Sequence, residues 1–338
     1  MDTLPYAHGG PPLRARLRTE PADFQVEEIL GFEPAGEGEH AFLLIEKTGT
    51  NTEWLARQLA AFAGVEPLAV GYAGLKDRHA VTRQSFSVQL PGRADPDWNA
   101  LAIAGVRVLA ATRHNRKLKR GAHRGNRFRI RLRDVQGPHA VAEACLATLR
   151  AHGVPNYFGE QRFGRDGRNI ALAEALFAGR RMPREQRGIA LSAARSELFN
   201  ALLARRVADA SWDHALDGEV WMLAGSHAIF GPEPWTDELA ARLAAHDIHP
   251  TGPLWGSGAL RSAGAVQSLE LAVAEAHATL ARGLERAGLN QERRALRLCA
   301  EDLVHHWEPD GNLVLEFGLG AGAFATTVLR ELCDWNVL

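Results

Sequence analysis

From Asn126 to Arg133 apolar and cationic residues alternate: Phe128, Ile130 and Leu132 point one way, and Arg127, Arg129, Arg131 and Arg133 the other. Successive side chains take opposite faces only in an extended chain. A period of two therefore predicts a strand with one face on a core and the other facing outward. A helix would scatter the four guanidinium groups around its circumference. Whatever else this chain folds into, it must build a sheet with a charged face.

This strand closes a longer basic run. Between Arg113 and Arg133 there are ten Lys or Arg and no acidic residue. The 338-residue chain has a net charge of −1, so the remainder carries −11. Such asymmetry is a candidate footprint for a polyanion. Abundant Arg says little by itself, because the chain has four Lys (Lys47, Lys76, Lys117 and Lys119) against 35 Arg, a bias that genome composition alone can produce. The clustering is the stronger signal. The competing reading is a solvated charged face, but ten neighbouring cations repel one another without a partner.

The first 135 residues read as mostly β. Ala41–Lys47, Gln84–Leu90 and Gly105–Ala111 are further candidate strands. One helix interrupts them. Thr52 can cap it, Trp54, Leu55, Leu59 and Phe62 form its apolar stripe, and Gly64 can end it. From Pro138 helical patterns dominate: Pro138–His152, Ile170–Gly179, Ser192–Ala210, Asp237–His246 and Val266–Ala287. The last 30 residues return to a strand, Leu313–Phe317, then a Gly-rich bend and a helix over Ala323–Cys333. An inserted domain explains this order economically, with residues from about 155 to 298 forming a second lobe.

With 46% hydrophobic and 23% charged residues, the chain can bury a sizeable core. No apolar run reaches the ~18 residues that span a bilayer, and Met1–Pro12 lacks a basic-then-apolar leader pattern. Cys145, Cys299 and Cys333 are widely spaced and form no C-x-x-C pair, which fits buried thiols in a reducing cytoplasm. No spacing suits a metal, and the His305-His306 pair reads as structural. Gly318–Gly322 lacks the Lys of a phosphate loop, and there is no G-x-S-x-G. Trp212, Trp221, Trp235 and Trp255 read as packing residues.

Two segments concentrate chemistry. In Gly71–Thr82, Asp77 sits between Lys76 and Arg78 in a Gly-punctuated loop. Neighbouring cations favour an ionised carboxylate, which can act as a nucleophile or electrostatic stabiliser; a surface ion pair is the plainer reading. In Asn156–Gly164, aromatics, amides and Arg162 interleave. They suit either base stacking and phosphate contact or a hinge whose aromatics pack a small core.

Seven segments occur in an order that resembles the TruD family of tRNA pseudouridine synthases. They are Asp23–Glu28, Gly36–His40, Gly74–Thr82, Asn156–Gly164, Leu191–Ser196, Gly252–Gly256 and Gly320–Leu332. The resemblance covers almost the whole chain. It implies an α+β fold: a mixed-sheet catalytic domain (1–154 and 299–338) with an inserted helix-rich TRUD domain (155–298), two-lobed with a cleft. It also implies isomerisation of uridine to pseudouridine, typically at uridine-13 in the D arm of tRNA, with no metal or other cofactor. Asp77 matches the family's catalytic aspartate. The target uridine would be extruded from its stack, its glycosidic bond broken with help from Asp77 by attack at C1′ or by elimination to a glycal, and the uracil turned and rejoined through C5.

The same resemblance carries substrate binding onto Phe24, Asn126 and Phe324, with Phe324 the expected stacking partner of the flipped base. Arg18 stands where the family usually has Lys, and is expected to pair with Asp77. Lys76, Arg78 and His79 serve either phosphates or the loop itself. The expected partner is tRNA, with no protein partner and no membrane; monomer is the default because no heptads are sustained. The alternative function is a non-catalytic RNA-binding or RNA-chaperone protein of the same fold. If the Arg127–Arg133 face meets phosphates, neutralising Arg129 or Arg131 weakens RNA binding across sequences and flattens its salt dependence, and an unchanged slope reduces the strand to a solvated face.

Overall fold

The computed structural model describes residues 4–335. In chain order the elements begin with β1 (Leu13–Leu17), β2 (Phe24–Ile29), β3 (His40–Thr48), α1 (Thr52–Ala63), β4 (Val70–Tyr72), β5 (Val81–Gln89), β6 (Val106–His114) and β7 (Gly125–Gln136). Then come α2 (His139–His152), β8 (Val154–Pro155), α3 (Arg168–Phe177), α4 (Arg184–Ala208), β9 (Trp221–Leu223), β10 (Ile229–Phe230), α5 (Asp237–Ala244) and β11 (Ile248–Leu254). The chain ends with α6 (Gly264–Ala276), α7 (Ala278–Arg286), β12 (Glu292–Ala295), β13 (Arg297–Leu298), β14 (Glu301–Trp307), β15 (Leu313–Gly320), α8 (Ala325–Leu332) and β16 (Cys333–Asp334).

These elements form two compact units. The sheet unit takes Leu13–Pro138, Ala300–Ala323 and the chain from Cys333. The helical unit takes His139–Cys299 and Phe324–Leu332, with the chain up to Pro12. Among the described residues no helix is long and apolar enough to cross a membrane.

One ten-stranded sheet dominates the sheet unit, in the order β14-β15-β7-β2-β5-β3-β6, with β1 on β7 and β16, and β4 on β5. It is mixed: β2 with β5 and β1 with β16 are parallel, and the other pairs antiparallel. The alternating segment is β7. Phe128 lies opposite Val26 and Phe317, and Ile130 opposite Phe24 and Leu315. All six are buried. Arg129 lies on the other face, opposite Gln25 and Glu316.

α1 covers the β3–β5 end of the sheet. Leu55, Ala56, Leu59, Ala60 and Ala63 recur at helical spacing and pack on Leu43, Ile45, Phe86 and Val88. Gly64 ends the helix in the left-handed region (φ 62°), its N–H donating to the carbonyls of Ala60 and Ala61. Trp54, expected in the stripe, is exposed instead. Thr52 is not the cap. Asn51 holds that position, and Thr52 is the first helical residue, its hydroxyl committed elsewhere.

In the helical unit, α4 begins at Arg184, eight residues before the expected start. The expected Val266–Ala287 helix is two, broken at His277 (φ −112°, ψ 36°). The interleaved aromatics of Asn156–Gly164 are core: Tyr157, Phe158 and Phe163 are buried with Phe199 and Leu203. Trp212, Trp221 and Trp255 are buried as expected, whereas Trp235 is exposed. The Gly-rich bend also shifts. Gly318 and Gly320 stay in β15, paired with Arg127 and Gly125 of β7. A Cβ on Gly125 would stand 2.4 Å from the Leu319 carbonyl oxygen, so small residues serve close strand approach here before they serve a turn.

Gly71 on β4 is equally constrained. A Cβ there would lie 2.3 Å from the Leu118 carbonyl oxygen and 2.7 Å from Ser87 Oγ. Gly71→Ala should lower stability by about 1–3 kcal/mol, the usual cost of overpacking, read as a fall in thermal midpoint; a midpoint equal to that of the natural chain would show that the 117–118 segment is free to move away.

Candidate active site

The segment 73–80 joins β4 to β5 as an irregular loop. Irregular backbone needs partners for its polar groups, and this loop finds them in side chains brought up from the sheet and α1. Lys76 N donates to Thr52 Oγ1 at 3.1 Å, Thr52 Oγ1 donates to Gln84 Oε1 at 2.9 Å, and Gln84 Nε2 donates to the Gly74 carbonyl at 2.9 Å. Thr52 and Gln84 are buried. The Ala73 carbonyl accepts from Gly121 N at 2.7 Å, and the Arg78 carbonyl from Gly49 N at 3.1 Å.

Two lysines lock the loop further. Lys76 Nζ donates to Glu28 Oε2 at 2.7 Å, with side chains 5% and 0% exposed; Glu28 Oε1 accepts from Ser85 N at 3.1 Å. Lys47, 1% exposed on β3, donates from Nζ to the carbonyls of Thr50 (2.8 Å), Asp77 (3.2 Å) and Lys76 (3.4 Å). Burial holds the Lys47 ammonium down to about 8, against the opposing pull of Asp77.

With its backbone so held, the loop turns the Asp77 side chain outward, 44% exposed. Arg18 Nη2 donates to Asp77 Oδ2 at 2.7 Å. This is one charge-assisted bond rather than the bidentate pair a guanidinium can make. Arg18 takes a left-handed backbone (φ 61°), uncommon outside glycine. Its guanidinium lies 4.1 Å above the centroid of the Phe24 ring. Phe24 is 2% exposed and meets Phe128 edge to face at 6.1 Å. Phe24 therefore supports Arg18 in this structure, and its ring is covered.

Asn126 is buried on β7 and lies directly opposite Glu28 in the β2–β7 register, on the same face. Its Oδ1 has no hydrogen-bond partner among the described residues; the same holds for Arg18 Nε, Thr82 Oγ1 and His123 Nδ1. Burial lowers the pKa of His123, with Lys76 adding to the effect and Glu28 opposing it. Arg18, Phe24 and Asp77 are thus joined by direct contacts, and Lys76 and Asn126 through Glu28, the one by an ion pair and the other by register. Phe324 stands in the helical unit, half-buried before α8, its carbonyl accepting from Thr327 N at 3.0 Å. Lys76 serves the loop, and Arg78 Nε donates to the Gly49 carbonyl at 3.0 Å.

The cationic strand is largely neutralised from within the chain. Arg129 pairs with Glu316 (3.3 Å), Arg131 with Glu308 (2.6 Å), and Arg133 with Asp23 (2.8 Å) and Glu20 (3.1 Å). Arg127 is exposed and forms no ion pair among the described residues, although Glu27 stands opposite it on β2. Upstream, Lys117, Lys119 and Arg120 border a cleft of about 550 Å³ with Arg57, Leu68 and Tyr72. Among the described residues no three His, Cys, Asp or Glu gather to hold a metal ion.

Lys47, Thr52, Gln84 and Glu28 escape a reading based on charge clusters. One signal does mark Lys47 and Lys76: both are Lys where the chain otherwise uses Arg, 35 to 4. A compact ammonium fits sites that a planar guanidinium does not.

The profile of the family described as tRNA pseudouridine synthase D (TruD) matches residues 1–179 and 171–332. A tRNA pseudouridine synthase D of Xanthomonas euvesicatoria pv. vesicatoria is 52% identical over 349 aligned residues, covering 98% of this chain and 94% of that protein. That of Methylococcus capsulatus is 52% identical over 338, covering 99% and 96%. The crystal structure of a protein described as a tRNA pseudouridine synthase D from Methanosarcina mazei superposes with a TM-score of 0.76 at 22% identity, covering 97% of this chain and 95% of that one, which gives the α+β fold. With a profile spanning nearly every residue and relatives half identical from end to end, the chain belongs to the tRNA pseudouridine synthase D (TruD) family.

Proposed function

We propose that this protein isomerises uridine to pseudouridine in tRNA, at uridine-13 of the D arm, with Asp77 as the catalytic residue. The observation that carries the reading is the Asp77 carboxylate itself. It projects half-exposed from a loop whose backbone is pinned from behind, with Arg18 on one oxygen. Arg18 fixes Oδ2 by a charge-assisted bond, and Oδ1 is left to approach a sugar carbon. The family membership and the full-length relatives support the same reaction class.

The reaction breaks N1–C1′ and forms C5–C1′; the C5 proton is lost and N1 gains one. Composition and oxidation state are unchanged, so the work is positioning and proton transfer. The target base must leave its stack before C1′ and C5 become accessible. Asp77 then adds to C1′ or takes a sugar proton to give a glycal; both need an ionised, fixed carboxylate. Asn126 Oδ1 and His123 Nδ1 supply polar atoms for a uracil edge. Each costs about 1–3 kcal/mol while buried and unpaired, which a bound base would recover. Phe324 is assigned to stack on the base, and Phe24 acts by holding Arg18.

For the RNA backbone we assign Arg127 first and Arg129 second. Arg131 and Arg133 are held by shorter pairs to Glu308 and Asp23.

Pseudouridine formation on an unmodified tRNA transcript tests the reaction. The natural chain should convert uridine-13, and Asp77→Asn should lose at least the roughly 10²–10⁴-fold that a positioned acid–base group contributes, with tRNA affinity retained. Full activity in Asp77→Asn would overturn the assignment of Asp77. Binding by both proteins with conversion by neither, on this and other RNAs, would favour the non-catalytic RNA-binding reading.

Salt titration tests the surface. Arg127→Ala should reduce the slope of log affinity against log salt by about 1, whereas Arg133→Ala should leave the slope and lower the thermal midpoint. The reverse pattern would place the RNA elsewhere.

A further inference from the structure

We propose that Lys47 is a positioning residue for Asp77: its ammonium holds the backbone of the catalytic loop in working shape, one N–H to each of the carbonyls of Thr50, Lys76 and Asp77. The inference rests on the assignment of Asp77 as the catalytic residue.

The stoichiometry carries the argument. An ammonium has three N–H donors and no acceptor. Lys47 Nζ meets three carbonyl oxygens, at 2.8, 3.2 and 3.4 Å. Two of them belong to Asp77 and its neighbour, so Lys47 grips the peptide that carries the carboxylate. The side chain is 1% exposed and forms no ion pair among the described residues. A buried charge with no carboxylate bonded to it is costly, and here three carbonyl dipoles compensate it, helped by the nearby charge of Asp77. The chain also keeps Lys at this position against its own preference for Arg. A planar five-donor fork would not fit three converging carbonyls behind a sheet.

A neutral amine has two N–H groups and a lone pair. Deprotonated, Lys47 would leave one carbonyl facing that lone pair, and the loop would shift. The charged groups around it are few. From the loop come Asp77, which favours the ammonium, and Lys76, which opposes it and is itself paired with Glu28. Arg78 turns to Gly49, and Arg18 pairs with Asp77. The residues opposite Lys47 on β5 and β6, Thr82 and Val106, carry no charge. Burial lowers the Lys47 pKa to about 8, so the three-donor form is present below pH 8 and lost as pH rises through it.

The test is the pH–rate profile of pseudouridine formation in single turnover, on the full chain with an unmodified tRNA transcript. Lys47→Gln should lower the rate on the order of 10²-fold, the cost of displacing a reacting group by about 1 Å, with tRNA affinity little changed. The natural chain should lose rate with a midpoint near pH 8, and this limb should be absent in Lys47→Gln. An unchanged rate in Lys47→Gln, or an identical alkaline limb in both, would overturn the proposal. If Lys47→Gln does not fold, nitrogen-15 NMR of the natural chain decides, because it has only four lysines. An ammonium that exchanges its protons slowly supports the proposal; one that exchanges as fast as that of exposed Lys119 overturns it. Asp77→Asn separates the two claims: activity lost there but kept in Lys47→Gln removes only the role of Lys47, and activity kept in Asp77→Asn removes the reading beneath it.

Discussion

A buried ion pair between Lys76 and Glu28 sets the geometry on which the rest of the site depends. Both side chains are almost fully enclosed, where removing one partner of such a pair costs about 3–5 kcal/mol. The pair ties residue 76 of an irregular loop to the end of a central strand. Glu28 is itself fixed by the Ser85 amide on β5. With residue 76 so placed, residue 77 has little freedom, and its side chain stays half-exposed beside Arg18.

The strand pleat distributes the other parts. Phe24, Val26 and Glu28 alternate along β2 onto one face, and β7 sets Ile130, Phe128 and Asn126 opposite them. One strand thus supplies the ring beneath Arg18 at one end and the partner of Lys76 at the other. The opposite face of β7 carries its arginines toward acids of β15 and of the segments on either side. Along β7, charge repulsion is answered within the fold for Arg129, Arg131 and Arg133. That leaves Arg127 as the arginine of this strand with no ion pair among the described residues.

Much of this was legible in the sequence. Strict alternation fixes β7 and its buried face, because only an extended chain places Phe128, Ile130 and Leu132 together. The helix over Thr52–Ala63 follows from its apolar stripe and from Gly64, which ends it. The pairing of Arg18 with Asp77 came from family resemblance, and the structure places the two 2.7 Å apart. What sequence did not show depends on contacts between distant segments. Thr52 reads as a helix cap because caps are local; its hydroxyl instead bridges the Lys76 amide and Gln84, 24 and 32 residues away. Lys47 reads as one more strand residue until three carbonyls close around it. The aromatics of Asn156–Gly164 suit either base stacking or a small core, and only the packing of Tyr157, Phe158 and Phe163 with Phe199 and Leu203 decides for the core.

The central claim is that the loop bearing Asp77 is held in one shape before any substrate arrives. Hydrogen–deuterium exchange of the substrate-free chain, over residues 73–80 and at the Gly49 and Gly121 amides that bond to them, tests it most directly. The Lys76 amide, bonded to Thr52, and those of Gly49 and Gly121, bonded to the Arg78 and Ala73 carbonyls, should exchange nearly as slowly as amides of β5. Exchange of these amides at the rate of an unstructured peptide, with β4 and β5 still protected, would contradict the account: the loop would then take its shape only with RNA bound.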